Sequence, residues 1–153
     1  MAWTVFIDGK EGTTGLRIFD RLAERGEFSL LTLPEEKRKD ADARREAIHA
    51  ADIAILCLPD AAARESVALA EGSNTRILDT STAHRVAPGW AYGFPELSKK
   101  HRDAVVSGQY VAVPGCHASG FIALAAPLVA AGLIPVDALL SCFSLTGYSG
   151  GGK

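Results

Sequence analysis

The 153-residue sequence is long enough for one domain with a buried core; its formal net charge is -2 and 48% of it is hydrophobic. This net charge does not indicate a basic surface that would bind nucleic acid or an anionic membrane. No apolar run is long enough to span a bilayer. The first ten residues lack a basic start before an apolar core, so we expect no secretory signal. Three cysteines without a CxxC pair favour a reducing cytoplasm over a disulfide framework or a thiolate-rich zinc site. No metal site is expected, because none of the four histidines pairs with another at i, i+4 and no carboxylate cluster surrounds them.

A strand from Trp3 to Ile7 opens the chain and leads into a glycine-spaced turn at residues 9–15. Apolar residues at helical spacing follow, from Leu16 to Ala23. Strand, glycine turn and helix together bring backbone N–H groups onto a pyrophosphate. The spacing is G-x-x-G-x-x-G rather than G-x-G-x-x-G, so a plain tight turn remains the alternative.

A charged run, residues 35–39, follows the second predicted strand, Phe28 to Leu33. This is about 20 residues past the glycines, where the adenosine end of a dinucleotide is read. A carboxylate there would hold a ribose 2′-hydroxyl, whereas the basic triplet centred on Arg38 would hold a 2′-phosphate and favour NADP. A third interpretation is that residues 35–39 simply form a solvent-exposed loop.

The remaining elements complete a predicted α/β fold of the Rossmann type, a doubly wound parallel sheet with helices on both faces. Further strands are predicted at 53–58, 77–79 and 110–113, and further helices at 44–51, 61–70 and 99–106. Asp60 is the expected N-cap of the helix at 61–70. Residues 86–97 are predicted as an irregular loop. A last strand is predicted from Ala138 to Leu145.

Cys116 lies where the strand at 110–113 meets a helix expected to open at Ser119 and to run to Gly132. First-turn N–H groups and the positive end of the helix dipole would favour its thiolate and could hold an oxyanion on an attacked carbonyl. Cys116 is therefore a candidate nucleophile, and a small buried hydrophobic residue is the alternative. Packing is the expected role of Cys57 and Cys142.

Four sequence motifs, taken in their order along the chain, resemble those of a known protein family. They are Gly9-x-x-Gly12-Thr-Thr-Gly15, Asp79-x-Ser81-x-x-x-Arg85, Tyr92-Gly-Phe-Pro-Glu-Leu97 and Pro114-Gly-Cys116 followed by Gly120. With the glycine-rich segment 147–153, the chain resembles the N-acetyl-gamma-glutamyl-phosphate reductases of arginine biosynthesis, in their shorter bacterial branch.

The resemblance implies NADP(H)-dependent reduction of an acyl phosphate to a semialdehyde, a small-molecule substrate and a homo-oligomer at full length. It implies a Rossmann domain at 1–113 and the beginning of an α+β substrate domain at 114–153. Cys116 would be the nucleophile, with Ser81 and Arg85 on the substrate side. The implied contacts of the nucleotide phosphates are Gly9, Gly12, Thr13, Thr14 and Gly15.

Two departures from the family pattern limit what is carried over. Cys116-His-Ala-Ser-Gly120 stands where the family commonly has Cys-Tyr-Pro-Thr-Gly, which preserves the spacing but alters the side chains between. The family's catalytic histidine is expected beyond Lys153, so we expect the chain to be part of a longer protein. The alternatives are a semialdehyde dehydrogenase for aspartyl or aminoadipyl phosphate and a non-catalytic nucleotide-binding module.

Overall fold

A six-stranded parallel sheet forms the centre of the protein in the computed structural model, which describes residues 2–9 and 13–147. Its strands lie in the order β2-β1-β3-β4-β6-β5, and every described pairing is parallel. The strands are β1 Trp3–Asp8, β2 Phe28–Leu31, β3 Ile53–Leu56, β4 Arg76–Asp79, β5 Ala91–Tyr92 and β6 Tyr110–Ala112.

Helices cover both faces of the sheet, as the predicted doubly wound fold requires. On one face, Ile18, Phe19 and Leu22 of α1 pack against a core of Val5, Ile7 and Ile55. On the other face, α2 and α3 bury Ile48 and Leu69 with strand residues such as Leu56. The helices are α1 Thr13–Ala23, α2 Ala41–Ala50, α3 Asp60–Leu69, α4 Lys99–Ser107 and α5 Cys116–Ala130, and two 3-10 turns are Glu35–Lys37 and Pro95–Leu97.

Alternation of side chains along β1 explains the two cores. Val5 and Ile7 point to the α1 face while Phe6 points to the α2 and α3 face, because successive residues of a strand face opposite sides. All three are nearly inaccessible to solvent. A strand buried on both faces reads as a continuous apolar run, which is why the central strands were predictable from the sequence.

Three sequence predictions about local structure are wrong. α5 begins at Cys116, not at Ser119. The cap position of α3 is Pro59, and Asp60 lies in the first turn with its carboxylate accepting hydrogen bonds from Thr82 instead. The predicted irregular loop at 86–97 contains β5, which completes the sheet beside β6, and a 3-10 turn.

The strand predicted from Ala138 to Leu145 is also absent: residues 138–147 have no regular structure. A strand is stable only when a neighbour hydrogen-bonds to it, and the described residues offer none there. Its apolar side chains stay in solvent; Leu139, Phe143 and Leu145 are all more than four-fifths exposed. The apolar pattern is real, but it has no sheet to join in the described chain.

Candidate active site

The strand order reverses direction between β1 and β3, and the glycine turn leaves β1 at that point. In open parallel sheets, ligands bind in the crevice outside the carboxyl ends of the strands at such a reversal. Gly9 has φ +83°, and a Cβ there would lie 2.4 Å from the Cys57 carbonyl oxygen. Only glycine therefore lets the turn pass this close to the end of β3.

Three of the other predicted phosphate contacts lie at the start of α1. Thr13, Thr14 and Gly15 form its first turn, where helical N–H groups have no intrahelical partner. Gly15 is buried. Gly12 lies outside the described residues. The first turn of α1 carries no acidic residue that would repel a phosphate.

A cavity of about 850 Å³ opens beside Gly9, where the glycine turn begins. Gly9 and Leu58 line it at the ends of β1 and β3. Four residues of the charged run after β2 line its other side: Glu35, Glu36, Arg38 and Lys39. Within that run, Arg38 forms an ion pair with Glu35 at 2.8 Å, and Lys39 also faces the cavity. The cavity fits a dinucleotide in size and in position, with Gly9 at the end of β1 and basic side chains at the expected adenosine end.

The sequence reading missed a buried charge cluster at the floor of this cavity. Arg44 donates from Nε and one terminal nitrogen to Asp8 Oδ2, at 3.2 Å and 3.1 Å. The Ser66 hydroxyl donates to the same oxygen at 2.8 Å and also meets Arg44 at 2.6 Å. These residues lie on β1, α2 and α3, up to 58 positions apart, so no local pattern could reveal the cluster.

A second buried cluster shapes the loop that follows β4. Asp79 is inaccessible to solvent, and its Oδ2 accepts from the Ser81 hydroxyl at 2.7 Å and lies 2.6 Å from His84 Nδ1. The His84 ring stacks on Trp90 at 4.2 Å between centroids. Ser81, a predicted substrate contact, is thus buried and turned toward Asp79, where its interactions fix the loop.

The outer side of this loop is held by α3. Asp60 accepts from the Thr82 backbone at 2.9 Å and from its hydroxyl, and these bonds lower the pKa of the Asp60 carboxyl. The guanidinium of Arg64 donates to the Ala83 carbonyl at 3.1 Å. The loop is therefore anchored from the sheet on one side and from a helix on the other.

Arg85 follows this anchored loop and reaches the residues before α5. Its guanidinium donates to the Val113 carbonyl at 3.2 Å and to the Thr80 carbonyl at 3.3 Å. It also packs on Gly115, the cap residue of α5. The structure thus brings Arg85 to the residue next to Cys116, which no spacing in the sequence indicates.

Cys116 is the first residue of α5 and is exposed. The first helical bond runs from the Ser119 N–H to the Gly115 carbonyl at 2.8 Å, so the N–H groups of residues 116–118 precede the intrahelical ladder. A second cavity, of about 520 Å³, is lined by Cys116, His117 and Cys142. A thiol in this position is accessible to a substrate carbonyl and next to unshared donors.

Cys57 is less exposed than Cys116. It follows β3 and is partly buried, and burial raises the pKa of its thiol to about 11, although a hydrogen bond with Thr80 acts in the opposite direction. Cys57 is therefore a neutral packing residue at neutral pH.

Comparison with known proteins identifies the family. The family model described as "Semialdehyde dehydrogenase, NAD binding domain" matches residues 4–105, which is more than half of the chain. The chain belongs to the semialdehyde dehydrogenase NAD-binding domain family.

A curated relative, N-acetyl-gamma-glutamyl-phosphate reductase of Chelativorans sp. (strain BNC1), is 56% identical over all 153 residues, which correspond to 49% of its own length. The chain spans about half the length of the curated relatives it matches.

Two solved structures show the same fold. Aspartate semialdehyde dehydrogenase II of Vibrio cholerae, complexed with ASA, matches with a TM-score of 0.63 at 16% identity over 86% of this chain and 47% of that one. Aspartate semialdehyde dehydrogenase of Candida albicans, solved with NADP, matches with a TM-score of 0.62 at 16% identity over 84% of this chain and 47% of that one. The Rossmann-type fold predicted for this semialdehyde dehydrogenase domain is confirmed.

Two further observations concern the described residues alone. They contain no group of three or more His, Cys, Asp or Glu side chains that could hold a metal ion. Among the helices of residues 2–9 and 13–147, none is both long and apolar enough to cross a membrane.

Proposed function

We propose that this chain forms the nucleotide-binding and cysteine-bearing part of a cytoplasmic, NADPH-dependent N-acetyl-gamma-glutamyl-phosphate reductase of arginine biosynthesis. One structural observation carries the proposal: the exposed Cys116 opens a helix at the same sheet edge as the glycine turn. The relative of that name, 56% identical along the chain, supports the choice of substrate, N-acetyl-gamma-glutamyl phosphate.

The nucleotide would lie in the cavity at the ends of β1 and β3. In this proposal, Arg38 holds the 2′-phosphate. The pyrophosphate is held by the turn and the first helical turn that follows it, at Gly9, Gly12, Thr13, Thr14 and Gly15. When bound, NADPH supplies the hydride that converts an acyl group to an aldehyde.

Cys116 would act on the acyl phosphate before any reduction. Its thiolate forms a bond to the acyl carbon, the bond from that carbon to the phosphate oxygen breaks, and inorganic phosphate leaves with the electron pair. A thioester on Cys116 remains. The N–H groups at the start of α5 stabilise the negative oxygen of the tetrahedral stage.

Arg85 and Ser81 serve the substrate side of the proposed site. The guanidinium of Arg85 lies against Gly115, so a cation meets the anionic phosphate beside the nucleophile. Ser81 contributes through Asp79, because its hydroxyl fixes the loop from which Arg85 projects. No metal is required for this chemistry.

The proposal assigns residues 1–113 to the nucleotide-binding domain and 114–153 to the beginning of the substrate domain, in a protein that is a homo-oligomer at full length. Large exposed apolar side chains support the boundary because most of them follow it. They include Leu124, Leu133, Val136, Leu139, Phe143 and Leu145.

The test is substrate choice by the protein at its full natural length, assayed in the oxidative direction with phosphate and NADP+. N-acetylglutamate semialdehyde, aspartate semialdehyde and aminoadipate semialdehyde are compared at equal concentrations. We expect the first to give the highest kcat/KM. A higher value for either of the other two would overturn the substrate assignment, and no turnover with any of them would overturn the enzymatic proposal.

A further inference from the structure

We infer that Arg44 sets the affinity of the 850 Å³ cavity for an anionic nucleotide by cancelling the charge of Asp8. The inference rests on the nucleotide binding proposed above and assigns a role that the glycine turn and Arg38 do not fill. Arg44 acts through Asp8 and does not itself contact the nucleotide.

The geometry places an ionised carboxylate next to the phosphate-binding turn. Asp8 ends β1 and directly precedes Gly9, and it lines the cavity while remaining only 5% exposed. A buried carboxylate without a partner would be expensive, and it would also repel any phosphate that entered. An anion can therefore bind beside Asp8 only if the negative charge of Asp8 is neutralised.

Arg44 supplies that cancellation from an equally buried position, 6% exposed. Two of its nitrogens meet the same Asp8 oxygen, and Ser66 donates a third hydrogen bond to it. Another Arg44 nitrogen lies 3.4 Å from Glu65 Oε1, a carboxylate on the rim. One arginine thus meets two of the carboxylates of the cavity.

The charge balance of the cavity shows why this matters. Among the residues that the structure describes, the lining carries four carboxylates and three cations. The carboxylates are Asp8, Glu35, Glu36 and Glu65, and the cations are Arg38, Lys39 and Arg44. Without Arg44, two cations would face four carboxylates, and a low-dielectric cleft of that sign would exclude a ligand with several phosphates.

Stability alone does not account for the pair. A buried ion pair is often no more stabilising than apolar residues of similar volume, so the fold could fill this space with aliphatic side chains. Instead the chain keeps a buried arginine whose guanidinium is fixed on Asp8. The pair suits a site that must accept an anion beside the end of β1.

The test measures nucleotide dissociation constants for four proteins: wild type, Arg44→Met, the double variant Asp8→Asn/Arg44→Met and the control Arg76→Met. Arg76 is also partly buried and donates to the carbonyls of Val105 and Gly108, but it lies at the opposite end of the sheet. The probes are NADPH, NADH and adenosine, which carry decreasing negative charge. Thermal unfolding is recorded for each protein.

We expect Arg44→Met to raise the Kd for NADPH by roughly tenfold, the Kd for NADH by less and the Kd for adenosine hardly at all. The double variant has no unbalanced buried charge, so it should return to within about threefold of the wild-type Kd. Arg76→Met should lower the midpoint of thermal unfolding without changing affinity.

Equal losses for all three probes, or no recovery in the double variant, would overturn the inference, because Arg44 would then be a direct ligand or only a structural residue. Unchanged NADPH affinity in Arg44→Met would overturn it too, while leaving the proposed function intact. A wild-type protein that binds no nucleotide would overturn both. If Arg44→Met does not fold, Asp8→Asn alone decides: tighter NADPH binding supports the inference, and unchanged or weaker binding contradicts it.

Discussion

Arg85 and Gly115 are in direct contact: a Cβ built on Gly115 would lie 2.8 Å from Arg85 Nη1. Gly115 is the residue before Cys116, and its φ of -75° is open to any amino acid, so the contact rather than the backbone makes glycine necessary there. The smallest side chain would push the guanidinium away from the start of α5.

The substitution Gly115→Ala therefore tests whether the position of Arg85 matters for chemistry. The end of a flexible arginine can move at low cost, so we expect the free energy of unfolding to change by less than about 1 kcal/mol. Turnover of the acyl phosphate should fall by roughly ten- to a hundredfold, because the cation no longer sits beside the nucleophile. Steady-state kinetics and thermal unfolding measure the two effects.

Gly26→Ala is the matched control, since a Cβ there would meet nothing within 4 Å and its φ is not in the left-handed region. It should change neither quantity. Wild-type turnover in Gly115→Ala would show that Arg85 has no part in the reaction.

Gly9→Ala should destabilise the fold strongly. The new Cβ would combine a left-handed backbone with a 2.4 Å approach to the Cys57 carbonyl oxygen, which belongs to the backbone and cannot simply rotate away. We expect a loss of at least about 2 kcal/mol in the free energy of unfolding by urea. A loss no larger than that of Gly26→Ala would show that the turn can shift away from β3.

Alkylation of Cys57 should depend strongly on pH. The raised pKa of Cys57, about 11, keeps its thiol protonated at neutral pH, and only the thiolate is alkylated. In a Cys116→Ser/Cys142→Ser variant, we expect iodoacetamide to label Cys57 slowly at neutral pH and progressively faster as the pH rises toward 11. Rapid labelling of Cys57 near pH 7 in the folded protein would contradict the assignment of this thiol as a packing residue.

The sequence predicted the fold class because the information for it is local. Continuous apolar runs gave β1 and β3, and the glycine turn with a helical repeat gave α1. β5 was missed because two residues, Ala91 and Tyr92, are too few to show any period. The strand predicted at 138–145 failed for the opposite reason, since its pattern is strong but the described chain provides no strand beside it.

The residues of the candidate site likewise fall into those that the sequence predicted and those that it did not. Cys116 and the glycine turn were found because each lies at a junction between elements, which residue types can mark. The Asp8–Arg44 pair and the contact of Arg85 with Gly115 join residues 36 and 30 positions apart, so only the folded sheet brings them together. Asp60 was misread because its carboxylate has a better partner in Thr82 than in its own helix.

Covalent participation of Cys116 predicts that its substitution separates binding from chemistry. Cys116→Ser should leave the Kd for NADPH nearly unchanged, because the glycine turn follows a different strand, β1. Turnover should fall below about a hundredth of the wild-type value. Wild-type turnover in this variant would show that Cys116 is not the nucleophile.

The most direct test is to trap the acyl-enzyme. The full-length protein is mixed with N-acetyl-gamma-glutamyl phosphate in the absence of NADPH, quenched in acid and examined by mass spectrometry of the intact chain and of its peptides. We predict one N-acetylglutamyl group per chain, bound to the peptide that carries Cys116 and accompanied by release of inorganic phosphate. Phosphate release without an adduct, or an adduct on Cys57 or Cys142, would contradict the proposed function.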